Sequence, residues 1–168
     1  MQFEETLLPH LDAAYNLARW LTRNPQDAED MVQEAYLRAL RYFDGFRGGD
    51  ARAWLLAIVR NVCYSSLERK RGVLHQPLDE ETPVEPSPAN NPEKLLLKNL
   101  DARIVTGCVE ALPLEFREIV VMREMEELSY KEIAAASGLP IGTVMSRLAR
   151  ARKRLEDCLT SRLKGARA

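Results

Sequence analysis

Apolar residues recur at steps of three and four along most of the chain, a recurrence that predicts helices. Over residues 3–23, Leu7, Leu8, Leu11, Tyr15, Ala18 and Leu21 share helical spacing, which predicts one continuous helix. Asn24-Pro25 then reads as an N-cap followed by proline at the first helical position. The helix it opens carries Ala28, Met31, Val32, Ala35, Tyr36, Ala39, Leu40 and Phe43 as an almost unbroken core stripe. The glycine-rich loop Asp44–Asp50 follows. Asp50 can cap a third helix, about 51–71, that buries Trp54, Leu55, Ile58, Val62 and Leu67. No window alternates with period two, so no strand is expected.

Periodicity stops from Val73 to Asn91. The stretch holds four prolines and four acidic residues but no Lys or Arg, and such a composition does not bury enough apolar surface to order itself. As a coil its 19 residues span roughly 25 Å, and pulled straight about 60 Å. That is a tether able to hold two domains a DNA turn (about 34 Å) apart. The chain therefore divides into a helical domain at 1–72, a flexible acidic linker at 73–91 and a second helical domain at 92–168. In the second, Asn91-Pro92 opens a helix to about Leu112, and Pro113 breaks the chain before a short helix holding Leu114, Ile119, Val120 and Met122. Ser129 and Glu132 form a capping box for a helix from Tyr130 to Ala136. Ser137-Gly138-Leu139-Pro140 ends it, and the last helix runs from about Ile141 through Leu163. The fold class is all-α, two small helical domains joined by a tether.

Hydrophobic residues make up 46% of the 168 and charged residues 29%, enough for a real core and unlike a disordered chain. With no run of 18 apolar residues and no basic start before an apolar stretch, neither membrane insertion nor a signal peptide is expected. Cys63, Cys108 and Cys158 stand far apart and odd in number, which argues against a disulfide scaffold, suits a reducing cytoplasm and leaves core packing as their expected role. Two histidines make an imidazole-rich metal or triad site improbable. Walker, G-x-S-x-G and H-E-x-x-H motifs are missing, so neither an enzyme nor a cofactor is expected.

The net charge of −1 hides an asymmetry. Residues 141–168 carry eight basic groups against Glu156 and Asp157, whereas 73–100 carry two basic groups against five acidic ones. A basic last helix suits a localised polyanion. In Ser129–Leu155, small Ala134 lets the short helix cross the last one closely, a turn glycine stands at Gly138, and Val144 and Leu148 face inward. This is the pattern of a helix-turn-helix. The outward side of the second helix offers Thr143, Ser146, Arg147, Arg150 and Arg152, placed for base edges and phosphates. A plain helical hairpin with a solvated basic face is the alternative. Asp27, Asp30, Gln33, Glu34 and Leu37 form an acidic face with one exposed leucine, which suits either solvent or a partner. Phe46, Arg47, Arg52, Trp54, Arg60 and Asn61 interleave aromatics with arginines, as single-stranded nucleic acid prefers. Alternatively, Trp54 is core and Phe46 anchors the loop.

Two segments together resemble a known family. DAEDMVQEAYLRALRYFDGFRGGDARAWLLAIVRN is similar to region 2 of the extracytoplasmic-function sigma factors of bacterial RNA polymerase, and ALPLEFREIVVMREMEELSYKEIAAASGLPIGTVMSRLARARKRL to their region 4. The resemblance implies that Asp27, Asp30, Gln33, Glu34 and Leu37 meet the clamp helices of core polymerase. It gives the loop Phe46–Arg52, with Trp54, Arg60 and Asn61, to the melted −10 strand. Thr143, Ser146, Arg147, Arg150 and Arg152 would read the −35 duplex while the second domain docks on the polymerase flap. A separate anti-sigma factor is the expected regulator, and the free protein is expected to be a monomer. Two departures stand out: Met145 follows Gly-Thr-Val where many relatives have Lys or Arg, and Gly48-Gly49-Asp50-Ala51-Arg52-Ala53 lacks an aromatic common in relatives. Rival readings are a dimeric helix-turn-helix regulator, which predicts palindromic sites, and a sigma-mimicking adaptor, which would lack the basic helix.

Overall fold

The structure, a computed structural model, describes residues 2–74 and 100–167. Beyond Leu74, the tether expected at 73–91 lies outside the described residues, as does the helix start expected at Asn91-Pro92. Every regular element among the described residues is a helix, and none is a strand. Helices α1 (Phe3–Leu7), α2 (Leu11–Thr22), α3 (Pro25–Tyr42) and α4 (Ala51–Leu74) make a first group. Helices α5 (Leu100–Ala111), α6 (Leu114–Val120), α7 (Tyr130–Ser137) and α8 (Ile141–Arg167) make a second.

The single first helix expected over 3–23 is two. Pro9, lacking an N–H, sits in a 3-10 turn at Leu8–His10 that separates α1 from α2. The break moves two leucines out of line: Leu7 is fully buried, but Leu8 and Leu11 are exposed. The α3 cap is as its sequence predicts. Asn24 Oδ1 accepts hydrogen bonds from the backbone N–H groups of Gln26 (2.9 Å) and Asp27 (3.1 Å), with Pro25 next in line. Its stripe needs one correction, because Leu40 is 57% exposed. Ala28, Val32, Ala35 and Ala39 hold the buried line, and Leu40 lies three residues from exposed Leu37 on the outer face.

Helix α4 is the wall between the two groups. It packs on α2 and α3 on one side and on α7 of the second group on the other. Hence its buried positions, Leu55, Leu56, Val59, Val62 and Cys63, spread wider than the single stripe expected, while Trp54, Ile58 and Leu67 are only half-buried. The helix also continues through Gly72 to Leu74. One apolar core runs across both groups, joining Leu17, Leu21, Leu55 and Val59 to Ile119, Met122, Leu128 and Ile133.

In the second group α6 passes into one π turn at Val121–Met125, closed by the Glu126 N–H donating to the Val121 carbonyl at 3.0 Å. The cysteine expectation holds for Cys63, a free thiol in the core pushed by burial up to about 12. It fails for the other two, because Cys108 and Cys158 form a disulfide between α5 and α8. They are 50 residues apart in sequence, and only the packing of α5 on α8 brings them together.

Candidate nucleic-acid and partner interfaces

The helix-turn-helix is built from α7 and α8. Ser129 Oγ accepts from the Glu132 N–H (3.0 Å), and a Glu132 carboxylate oxygen accepts from the Ser129 N–H (2.8 Å), the reciprocal box its sequence predicts. Gly138 ends α7 at φ +75°, a left-handed conformation that costs glycine little. Ile133, Val144 and Leu148 then lock the two helices together from the inside. The outward face of α8 presents exposed Ser146 and Arg150, half-buried Thr143, and exposed Met145. Ser146 Oγ donates back to the Thr143 carbonyl at 3.1 Å, one turn earlier.

Of the five side chains singled out on α8, Arg152 is already engaged by a carboxylate and Arg147 is drawn partly inward. Arg152 donates twice to Glu124 Oε1 (2.9 and 2.6 Å), and this bond raises its pKa above the usual guanidinium value. Arg147 is half-buried, and its charge acts on the carboxylate of Glu118.

The aromatic and basic set of the first group divides the same way. Phe46 stacks near Phe43 (centroids 6.0 Å apart) and leans on Trp54 (5.1 Å), while Phe3 meets Phe43 edge-on (5.5 Å). Phe46 and Trp54 are thus part of a half-buried ring cluster, as the alternative of a core tryptophan and an anchored loop expects. Gly48 and Gly49, at φ +88° and +90°, turn the loop and leave Arg47 exposed. Asp50 caps α4 through the Ala53 N–H (3.1 Å), and that bond holds its carboxyl below the ordinary range. Asn61 is exposed. Arg52 and Arg60 reach across to the second group: Arg52 to Glu126 (3.4 Å), and Arg60 to both oxygens of Glu118 (3.3 Å each). The Arg60 guanidinium also lies 3.8 Å from the centre of the Tyr64 ring.

On α3, Asp30, Gln33 and Leu37 are exposed. Asp27 is tied to Lys70 of α4 at 2.7 Å, and Glu34 pairs with Arg38 one turn on. Gln33 borders a groove between α2 and α3 that Leu11, Tyr15 and Val32 also line.

The buried charges of the second group were not legible in advance. Arg117 is 4% exposed and donates to the Trp20 and Leu21 carbonyls (2.8 and 3.4 Å), which end α2, and to the Leu112 carbonyl (2.8 Å). Burial first, and repulsion from Arg23 second, push its pKa down to about 10. Glu118 is fully buried, and burial pushes it up to about 7 against the pull of Arg60 and Arg147. In sequence both are two charges on an amphipathic turn, with only their neighbours Phe116, Ile119 and Val120 hinting at burial.

Residues 7–73 match the profile of Sigma-70 region 2, and residues 102–155 that of Sigma-70 region 4. The chain is 35% identical over 141 residues to the ECF RNA polymerase sigma-E factor of Escherichia coli, covering 78% of this chain and 73% of that one. It is 34% identical over 157 residues to the ECF RNA polymerase sigma factor SigE of Mycolicibacterium smegmatis, where 94% of this chain spans 61% of the relative's length. Among solved structures it resembles the sigma factor RpoE in complex with the anti-sigma factor NepR from Bartonella quintana (TM-score 0.74, 29% identity, 94% of this chain and 96% of that one). It also resembles CnrH in complex with the cytosolic domain of CnrY (TM-score 0.65, 25% identity, 95% and 88% covered). No described helix is long and apolar enough to cross a membrane.

Proposed function

The chain belongs to the extracytoplasmic-function sigma factors, and from that membership we propose that it binds core RNA polymerase and directs initiation at two-part promoters in the cytoplasm. It is an initiation factor and not an enzyme; the polymerase core supplies the catalysis. In this reading the first domain, to the end of α4 at Leu74, engages the clamp helices and the −10 element, the acidic tether follows it to 91, and 92–168 carries the −35 reader and docks on the flap. The observation that carries it is the first half of α8. Thr143, Ser146 and Arg150 face outward at the start of a helix whose entry is set by a capping box and a left-handed glycine, the placement a major-groove reader needs.

Asp30, Gln33 and Leu37, exposed beside Asp27 and Glu34, make the polymerase-facing surface. Arg47 and Asn61 are open to a melted strand, with Phe46, Arg52, Trp54 and Arg60 beside them. Half-buried Arg147 belongs to the −35 face, and Arg152 joins it once it leaves Glu124. An anti-sigma factor is the expected inhibitor, in line with the complex that the Bartonella quintana relative forms with NepR. Opening a base pair costs a few kcal/mol, offset by stacking and hydrogen bonds to the extruded base. A net charge of −1 suits a monomer that binds promoters weakly until polymerase holds it.

The test is run-off transcription from genomic upstream fragments by core polymerase, with and without the protein. Discrete new transcripts sharing a two-part upstream motif are expected. No new transcripts, together with tight binding of palindromic duplexes by a dimer, would mean a conventional regulator instead.

A further inference from the structure

The outward side of α8 is not uniformly polar. Ile141 and Met145 are 45% and 51% exposed, and Ala149, one turn further on, is exposed as well. Spaced four apart, the three stand one above another as a single ridge. Ser146 and Arg150 form the ridge beside it, so apolar and polar side chains run in parallel along the same face. The inward contacts of the helix are already filled by Val144, Leu148 and Ala151, all buried. Ile141 and Met145 are therefore surplus to the core. An apolar patch rimmed by polar and basic side chains marks a contact surface, and this one is continuous with the face assigned to the −35 duplex.

The chemistry of a DNA groove narrows what such a ridge can touch. An isoleucine or a methionine thioether neither pairs with a phosphate nor makes a strong hydrogen bond. Among the edges that the four bases show in the major groove, thymine alone carries an apolar group, its 5-methyl. The ridge is roughly 12 Å long at about 1.5 Å per residue, close to three or four base-pair steps of about 3.4 Å. Ile141 and Met145 stand roughly 6 Å apart along the helix axis, less than two such steps.

We propose that Ile141 and Met145 are specificity-determining residues of the −35 reader, which select thymine by covering the 5-methyl groups of two thymines within two base-pair steps of each other. This rests on the reading of α8 as the −35 helix. Ser146 and Arg150 fix the register through base edges and phosphates, and the ridge beside them tells A·T pairs from G·C. The β-branched Ile141 is stiff and sets one position, while the flexible thioether of Met145 adapts to the other. A Lys or Arg at 145 would offer a charge to a phosphate; methionine turns the same position to base selection.

The test uses holoenzyme assembled from core polymerase and the full chain, on promoters recovered by run-off transcription. Each thymine of the −35 element, on either strand, is replaced in turn by deoxyuridine, which pairs with adenine but lacks the methyl group. Initiation should fall about fourfold at each of two positions, the effect of leaving one methyl group uncovered. M145A should abolish the discrimination at one position and I141A at the other, each leaving its neighbour's intact. A −35 motif made only of G·C pairs overturns thymine selection. So does wild-type holoenzyme that transcribes every uracil template as well as its thymine parent, and if R150A or a scrambled −35 element still lowers transcription, the −35 assignment stands without it. If scrambling the element and R150A both change nothing, the −35 assignment itself fails. An M145A holoenzyme that loses activity while keeping the full thymine preference at both positions also overturns the proposal, since the side chain then acts on something other than the methyl. The uracil scan needs no altered protein, so it decides even where a variant fails to fold.

Discussion

The guanidinium of Arg60 lies 3.3 Å from each carboxylate oxygen of Glu118, joining α4 to α6 in a site that is closed to water on the Glu118 side. The charges that act on this carboxylate are positive, Arg60 from α4 and Arg147 from α8, yet burial outweighs both and its pKa rises to about 7. A buried acid with a raised pKa retains a proton that the open or unfolded chain releases.

The sign of the pH dependence follows. Between the ordinary carboxyl value and about 7, the folded form holds more protons, so the Glu118 contribution to stability declines as pH rises through that window and levels off above it. The full effect is roughly 3 kcal/mol. E118Q, which imitates the protonated acid, should therefore gain on wild type in denaturant titrations between pH 5 and 8. A difference that stays constant over that range would refute the assignment.

Arg117 fastens the end of α2 to the turn after α5. R117A leaves the Trp20, Leu21 and Leu112 carbonyls without this donor, and each buried orphan costs about 1–3 kcal/mol. A loss of about 3 kcal/mol or more in urea unfolding is expected. R117K should recover less than half, since a single ammonium does not reproduce the planar fork. Equal stability of R117K and wild type would show that charge alone matters.

Reduction of the Cys108–Cys158 bond opens a loop closed across 50 residues, worth up to ~4 kcal/mol by chain entropy. A melt with and without dithiothreitol should show a lower Tm when reduced, and C108S/C158S should melt the same in both. Thiol titration of the oxidised protein should find Cys63 unreactive at pH 8 until denaturant exposes it. A fast-reacting thiol in the native oxidised protein would contradict the burial.

The α7–α8 turn offers a local check. S129A removes one half of the capping box and should cost about 1 kcal/mol. G138A forces a side chain to φ +75° and should cost a similar amount, about 1 kcal/mol. The open space around Gly138 means that this cost is conformational and not steric. R150A alters an exposed side chain and should leave stability within about 0.5 kcal/mol while lowering run-off transcription. Lost stability with unchanged transcription would move Arg150 out of the DNA-facing set.

Much of the fold was legible because its signals are local. Asn24-Pro25, Asp50, the Ser129–Glu132 box and Gly138 each act within four residues, so the caps and turns of α3, α4, α7 and α8 stand where the sequence places them. The same holds for the outward Ser146 and Arg150, which a 3.6-residue period puts opposite Val144 and Leu148. The misses were of another kind. Pro9 splits the first helix because its ring and missing N–H outweigh a favourable apolar period, and Leu40 turns outward because Ala39 takes the contact line.

The sequence by itself determined the helices, their caps, the family and the outward face of α8, since each depends on neighbours a few residues away. Tertiary structure alone decided which charges are buried, which arginines are occupied and which cysteines pair. Arg117 meets α2 across 97 positions, Arg60 meets Glu118 across 58 and Cys108 meets Cys158 across 50. Nothing in a local period encodes such meetings. They arise because α4 buries apolar residues toward both groups at once, and that shared core carries the polar side chains of one group against those of the other.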